Sequence, residues 1–283
     1  FWFRRFLYNS GKPPVIIDTA MSSFSETNLE GFYFDNGYFD AAVASSHDLD
    51  STSKKGQVHY KINPGEASFI NSYNQQISDT VINRIYTRTL DRSTVKAGNR
   101  YDMDDFVSEK DRIVELMKNR GYYKFNDLGT DVEFTADTTY SDKALEVTLL
   151  IPAEKSDSSH LKKVFNRYRY NEVHIYADSS PPLRGQEPPT YFDTIYEGYH
   201  LHYVNPEMKL RPKFFTDAMV VEKGKLYRYD SETQTKRNVL KREGVNLISF
   251  TTEKVKQDTI ESDSLLISKI YITPKKKYDL FYG

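Results

Sequence analysis

The sequence predicts an α+β protein built from three tandem copies of one small module, and three observations predict it. The first is a recurring order: an apolar helix ending in Gly plus an aromatic or apolar residue, two strand-like runs, then a Pro. Leu29, Phe32 and Tyr33 lead into Gly37-Tyr38-Phe39; Ile113, Leu116 and Met117 lead into Gly121-Tyr122-Tyr123; Val239 and Leu240 lead into Gly244-Val245. The second is spacing. From Gly37 to Pro64, Gly121 to Pro152 and Gly244 to Pro274 the intervals are 27, 31 and 30 residues, held while the side chains drift. The third is composition. Tyr occurs 22 times against one Trp, much of it in strand-like runs, as small sheets with one wet face require.

The elements follow in order. Phe1 to Tyr8 carries a helical apolar stripe at 2, 3, 6 and 7 with both Arg opposite, read as a helix packed on the first module rather than a membrane-surface segment. Ser23 to Asn36 reads as a helix capped near Ser23 or Ser25 with Leu29, Phe32 and Tyr33 on one face. Strands near Tyr38 to Ser45 and Gly56 to Ile62 follow, joined by a polar loop, Ser46 to Lys55. The second copy is complete: strand Ala67 to Tyr73, helix Ile77 to Leu90 burying Ile77, Val81, Ile82 and Ile85, a Gly98-to-Tyr101 connector, helix Asp104 to Arg120, and strands Asp131 to Ala136 and Lys143 to Ile151. After a polar linker at 153–163, the third has strand Tyr168 to Tyr176, a Pro-rich insertion at 179–198 expected to hold no regular element, and strand Tyr199 to Val204. Helix Pro206 to Val221, with Phe214, Phe215 and Met219 inward, a connector Gly224-Lys225-Leu226-Tyr227 echoing the earlier one, helix Ser231 to Arg242 and two final strands complete it. The module boundaries are 1–66, 67–153 and 162–283, the first module lacking its opening strand.

Composition narrows function. A net charge of -1 supplies no field for nucleic acid or an anionic bilayer. Zero Cys removes disulfides, thiolate metal sites and Cys nucleophiles. No run approaches the roughly 18 apolar residues of a membrane helix, and a first residue other than Met reads as the start of an excised or processed fragment. No Gly-rich phosphate loop or Gly-x-Ser-x-Gly elbow occurs. His200 and His202 share a strand face and, joined by an acid, would suit zinc; a solvated face is the preferred reading. His47, His59, His160 and His174 are scattered, and Asp102, Asp104 and Asp105 stand where a helix start wants acids. The run Lys275, Lys276 and Lys277 reads as a solvated terminus. No catalytic residue, metal ligand or cofactor is expected, and the chain is read as non-enzymatic.

The run from Ile113 to Tyr123, in its strand-helix-helix-strand-strand setting, resembles the POTRA domain of the Omp85 outer-membrane assembly family, whose second helix commonly ends in Gly-Tyr-aromatic. Val58 to Phe69 is similar to a junction between consecutive units, and Lys209 to Tyr227 to the unit nearest the membrane barrel. The long aromatic strands look most like the TamA branch, especially its lipid-anchored Bacteroidota version, TamL. This resemblance implies modules each made of a three-stranded mixed sheet with two helices on one face. It also implies a location at the periplasmic face of the bacterial outer membrane, a barrel following the last module, and unfolded outer-membrane proteins and other assembly subunits as partners, with no nucleic acid. Such sheets leave strand borders that accept an extended segment by sheet extension. On that analogy the binding strands are Asp131, Val132, Glu133, Phe134, Thr135 and Ala136 in the second module and Asn246, Leu247, Ile248, Ser249, Phe250 and Thr251 in the third. The alternative is a secreted or periplasmic binding module for a glycan or protein ligand, with an aromatic platform of Tyr191, Phe192, Tyr196 and Tyr199.

Overall fold

The computed structural model describes residues 18–50, 52–53, 55–125, 131–138, 143–152, 165–183, 185, 187–205, 211–255 and 264–275. The expected helix at 1–8, the linker at 153–163, residues 206–210 of the expected helix, His160, Lys276, Lys277 and the segment 278–283 lie outside them.

The fold is α+β with mixed sheets. Helix α1 (Thr19–Asp35) is followed by β1 (Ala42–Asp50) and β2 (Lys55–Asn63), then β3 (Phe69–Ile77), α2 (Thr80–Thr87), α3 (Met103–Lys118), β4 (Glu133–Asp137) and β5 (Ala144–Ile151). Next come β6 (Arg169–Tyr176), β7 (Phe192–Tyr196), β8 (Tyr199–Tyr203), α4 (Pro212–Thr216), α5 (Tyr229–Leu240), β9 (Val245–Lys254) and β10 (Leu265–Pro274). They make a two-stranded sheet β1-β2, a three-stranded sheet β3-β5-β4 and a five-stranded sheet β7-β8-β6-β10-β9. The chain divides into two compact units, residues 1–76, 90–109 and 134–150, and residues 77–89, 110–133 and 151–283.

Several local expectations are corrected. Helix α1 begins before Ser23: Asp18 caps it, accepting from the Ala20 N–H at 2.8 Å. The Ser22, Ser25 and Thr27 hydroxyls instead donate back to carbonyls four residues earlier, inside the helix. Phe32 faces solvent, 60% exposed, because Glu26 and Glu30 take the sheet-facing positions and accept from the Ser45 and Val43 N–H groups. The expected loop at 46–55 is largely strand; β1 and β2 pair antiparallel from Ala42↔Asn63 to Asp50↔Lys55, so polarity marked a wet ladder, not a loop. Ile77 ends β3, Val81 is exposed, and the buried pair of α2 is Ile82 and Tyr86, one turn apart on a helix that Asp79 caps. Asp102 caps α3 by accepting from the Asp104 N–H at 3.0 Å.

The insertion at 179–198 holds a strand, contrary to expectation. Its prolines end at Pro189, and Phe192–Tyr196, free of Pro, pairs antiparallel with β8. The third sheet therefore has five strands, with β8 and β10 both parallel to β6. One face carries the core: Tyr170, Val173 and Ile175 of β6, Leu201 of β8, and Leu266, Ile270 and Ile272 of β10 pack with Phe215 of α4 and Val239 of α5. In the other unit Ile70, Val95, Phe106, Leu145 and Val147 form a smaller core.

Each unit contains one joint of the same plan. Gly37 ends α1 at φ 83°, with the Tyr38 N–H donating to Tyr33 O and the Gly37 N–H to Phe34 O. Gly121 ends α3 at φ 101°, with the Tyr122 N–H donating to Met117 O and the Gly121 N–H to Lys118 O. Both are glycine caps closed by paired backbone bonds. The carbonyl of each glycine then accepts from the chain ahead: Ser68 N–H to Gly37 O and Tyr168 N–H to Gly121 O, both at 2.8 Å. The Gly-x-x-Tyr connectors answer: Tyr101 N–H donates to Ser68 O at 2.9 Å and Tyr227 N–H to Tyr168 O at 2.8 Å.

Candidate functional site

Both strands expected to bind peptide stand at sheet borders. Strand β4 borders the three-stranded sheet and β9 the five-stranded one; among the described residues no strand pairs with their outer sides. An antiparallel border leaves alternate N–H and C=O groups turned outward, which is what a docking strand reads.

In β4, Phe134 is the anchor: its ring meets Phe106 edge-on at 5.2 Å and Tyr73 at 6.4 Å. Thr135 and Ala136 are exposed and Glu133 is half-buried, whereas Asp131 and Val132 precede the strand and are buried. The usable border is therefore Glu133–Asp137, shifted by two residues at its start and one at its end.

In β9, Ile248 is buried and Phe250 packs on the core beneath the Lys236 ammonium, 5.3 Å from the ring centre. Asn246, Leu247 and Thr251 are exposed, with Ser249 intermediate. Pairing with β10 runs from Lys254↔Leu266 to Val245↔Pro274 with a bulge at Thr273/Pro274. Towards its end the strand is engaged: the Tyr123 hydroxyl donates to Thr252 O at 2.5 Å, and the Thr252 hydroxyl donates to Glu232 at 2.9 Å. Glu232 is pushed above the usual carboxylate range by burial, opposed by that Thr252 hydrogen bond.

The aromatic platform expected of a glycan module is not assembled. Tyr199 lies in the core with Tyr196 packed against it, and Phe192 pairs in register with Tyr203 of the same core. Tyr191 lies instead against Tyr176 and His202.

His174, read as scattered, is the residue that sequence reasoning missed. Parallel pairing sets His174 beside His200, and the diagonal neighbour His202 meets it, Nδ1 of His174 lying 2.8 Å from Nε2 of His202. Those two rings lie within 4° of one plane with centres 5.1 Å apart, so they meet edge to edge; His200 stacks on His174 at 4.7 Å. Glu172 and Asp193 bond the outer nitrogens at 2.9 and 2.7 Å. The acid sought beside His202 is present, but the His174 and His202 nitrogens face one another. Among the described residues no group of three or more His, Cys, Asp and Glu side chains stands in position to hold a metal ion. No described helix is long and apolar enough to cross a membrane. The signal that would have found His174 is its alternation with Glu172 and Tyr176 on the non-core face of β6.

No family model matches the chain, and no curated protein matches it. Among solved structures it is similar to POTRA domains 3–5 of Haemophilus influenzae BamA, at 12% identity and a TM-score of 0.45 over 92% of this chain and 83% of that one. It is also similar to Haemophilus ducreyi BamA lacking POTRA domains 1–3, at 11% identity and TM-score 0.43 over 73% of this chain and 29% of that one. A third likeness is to POTRA domains 1–3 of Anabaena Omp85, at 9% identity and TM-score 0.30 over 96% and 88%. Likenesses this loose fix no residue's role.

Proposed function

We propose that the chain is a non-enzymatic scaffold of three POTRA-like modules, 1–66, 67–153 and 162–283, at the periplasmic face of a bacterial outer membrane. It holds extended segments of unfolded outer-membrane proteins along β4 and β9 and hands them to a membrane barrel of the TamA or TamL kind, working with other assembly subunits. The observation that carries this reading is the placement of β4 and β9. Each opens a closing hairpin and each stands at the border of its sheet, with a packed aromatic behind it, Phe134 or Phe250, and exposed residues beside that anchor. Backbone pairing gives affinity with little demand on side chains, which suits clients that share alternation and little else.

Photocrosslinking tests it. A photoreactive residue at Thr135 or Leu247 captures an alternating outer-membrane strand peptide, and the same residue at Tyr229, exposed on α5, does not. Phe134→Pro removes a border donor but also the packed ring, so Thr135→Pro, at an exposed position, is the cleaner probe and weakens capture at β4 while the module stays folded. Proline at Ile248 would also disturb a buried position, so Leu247→Pro is the cleaner probe of β9. Equal labelling at all three positions would refute the assignment.

A further inference from the structure

The Asp193–His202–His174–Glu172 chain contains three contacts between side chains, at 2.7, 2.8 and 2.9 Å, and each requires one proton. Two neutral imidazoles bring one N–H apiece, and two ionised carboxylates bring none. With the outer nitrogens donating to Asp193 and Glu172, Nδ1 of His174 and Nε2 of His202 would face one another as bare lone pairs. A third proton turns that repulsion into a charge-assisted hydrogen bond. We propose that His174 and His202 share one proton taken from solution, forming a proton-binding clasp that fastens the β7–β8 hairpin to β6.

The hairpin needs such a fastening. Strand β8 joins β6 through three residue pairs, His174↔His200 to Tyr176↔His202, whereas β10 joins β6 along its length from Leu265↔Arg169 to Tyr271↔Tyr176. The clasp spans β6, β8 and β7, and its imidazoles are largely shielded, with side chains 18% and 13% exposed. The groups that face it are Glu172 and Tyr176 from β6, His200 from β8, Asp193 from β7, and Lys269 and Tyr271 from β10. Tyr191 lies over His202 and Lys223 acts on Glu172; Lys269 is itself bridged to Glu253 of β9.

The clasp is bounded on both sides of the pH scale. Burial, the largest influence on His174, pushes its pKa down, with His200 and His202 acting in the same direction and the Glu172 hydrogen bond against them. Glu172 is held below the usual carboxylate range, chiefly by its hydrogen bond to His174, and so remains an acceptor. A second shared proton would put two N–H groups face to face. Loss of the shared proton at high pH restores the facing lone pairs, so the clasp holds only between those limits.

The test is hydrogen exchange on the full chain, read as protection factors so that the intrinsic pH dependence of exchange cancels. Protection of amides in β7 and β8 passes through a maximum and falls about tenfold on either side, while β9 and β10 show no maximum. Imidazole nitrogen NMR finds three protons over the four nitrogens at the maximum. His202→Gln supplies donor and acceptor without titrating, and flattens the profile. If that variant does not fold, the wild-type profile and the imidazole spectrum still decide. A fall on the acid side alone, a maximum unchanged in His202→Gln, two protons over the four nitrogens, or Zn²⁺ seated between the rings at neutral pH would each overturn the clasp.

Discussion

The joint at Gly37 and the joint at Gly121 share one backbone plan and close it by different means. At Gly37 an added Cβ would stand 2.6 Å from the Tyr101 carbonyl oxygen, a backbone atom that cannot swing aside. Around it Phe39 meets Tyr101 at 5.2 Å and Phe34 at 4.8 Å, while the polar contacts are loose: Arg100 lies 5.5 Å from the Tyr38 ring centre and its guanidinium reaches Tyr38 and Asn36 only at 3.5 Å. At Gly121 the same Cβ would meet Leu226 Cδ1 at 2.9 Å and Cγ at 3.0 Å, side-chain atoms rather than backbone. There the polar contacts are closer. Tyr123 meets Tyr168 at 5.7 Å and Tyr227 at 5.0 Å, Asp230 N–H donates to Asn119 Oδ1 at 2.8 Å, and Arg167 Nε donates to Arg120 O at 2.8 Å. Both joints pack an aromatic on the connector tyrosine; they differ in what faces the glycine, backbone in the first and a side chain in the second, and in how closely polar groups tie the turn.

Substitutions at matched positions sharpen that contrast. The largest effect is expected from Tyr227→Ala, which empties a ring site 3% exposed and costs about 3–5 kcal/mol. Tyr101→Ala, half-buried against Phe39 and Phe106, costs about 1–2 kcal/mol. Local opening energies at the Tyr168 and Ser68 amides, from native-state hydrogen exchange, report the two separately. The glycines should reverse the order. Gly37→Ala combines a left-handed φ with a backbone clash and costs about 3 kcal/mol, against about 2 kcal/mol for Gly121→Ala, by the same measurement. Equal losses would erase the distinction. Tyr123→Phe removes one hydrogen bond, to Thr252 O, and costs about 1 kcal/mol at the Tyr227 amide.

The smallest effect is a pH slope in the second joint's neighbourhood. Glu232 has its pKa raised in the fold by burial, so above the ordinary carboxylate value the folded state binds more protons than the unfolded one. Stability contributed by the protonated acid is therefore present at low pH and lost as pH rises through the folded pKa. Chemical denaturation across that range should show the slope in the native chain and lose it in Glu232→Gln. An unchanged slope would place its source elsewhere.

The joints were legible because their signals are local. Gly98 to Tyr101 and Gly224 to Tyr227 repeat one spacing, and the left-handed glycines at each helix end carry no side chain that context can redirect. The border strands were placed by the resemblance: short connections predict that β4 pairs with β5 and β9 with β10, but not that the outer side of each is left open. The start of α1 was hidden because Ser22, Ser25 and Thr27 resemble caps while bonding within the helix. The continuation of β1 through residues 46–50 was hidden by its polarity, and β7 by the prolines before it. His174 and His202 lie 28 residues apart, and only the parallel pairing of β6 with β8 brings them together.

One bond in the joints also bears on how the chain matures. The carbonyls of Gly37 and Gly121 find their donors in Ser68 and Tyr168, and Gly244 repeats the pattern by accepting from the Lys275 N–H at 2.8 Å. Each helix end thus waits for sequence some thirty to fifty residues downstream before its last acceptor is occupied. A chain delivered amino end first through a narrow exit would finish every repeat one step late, each newcomer locking the one that emerged before it.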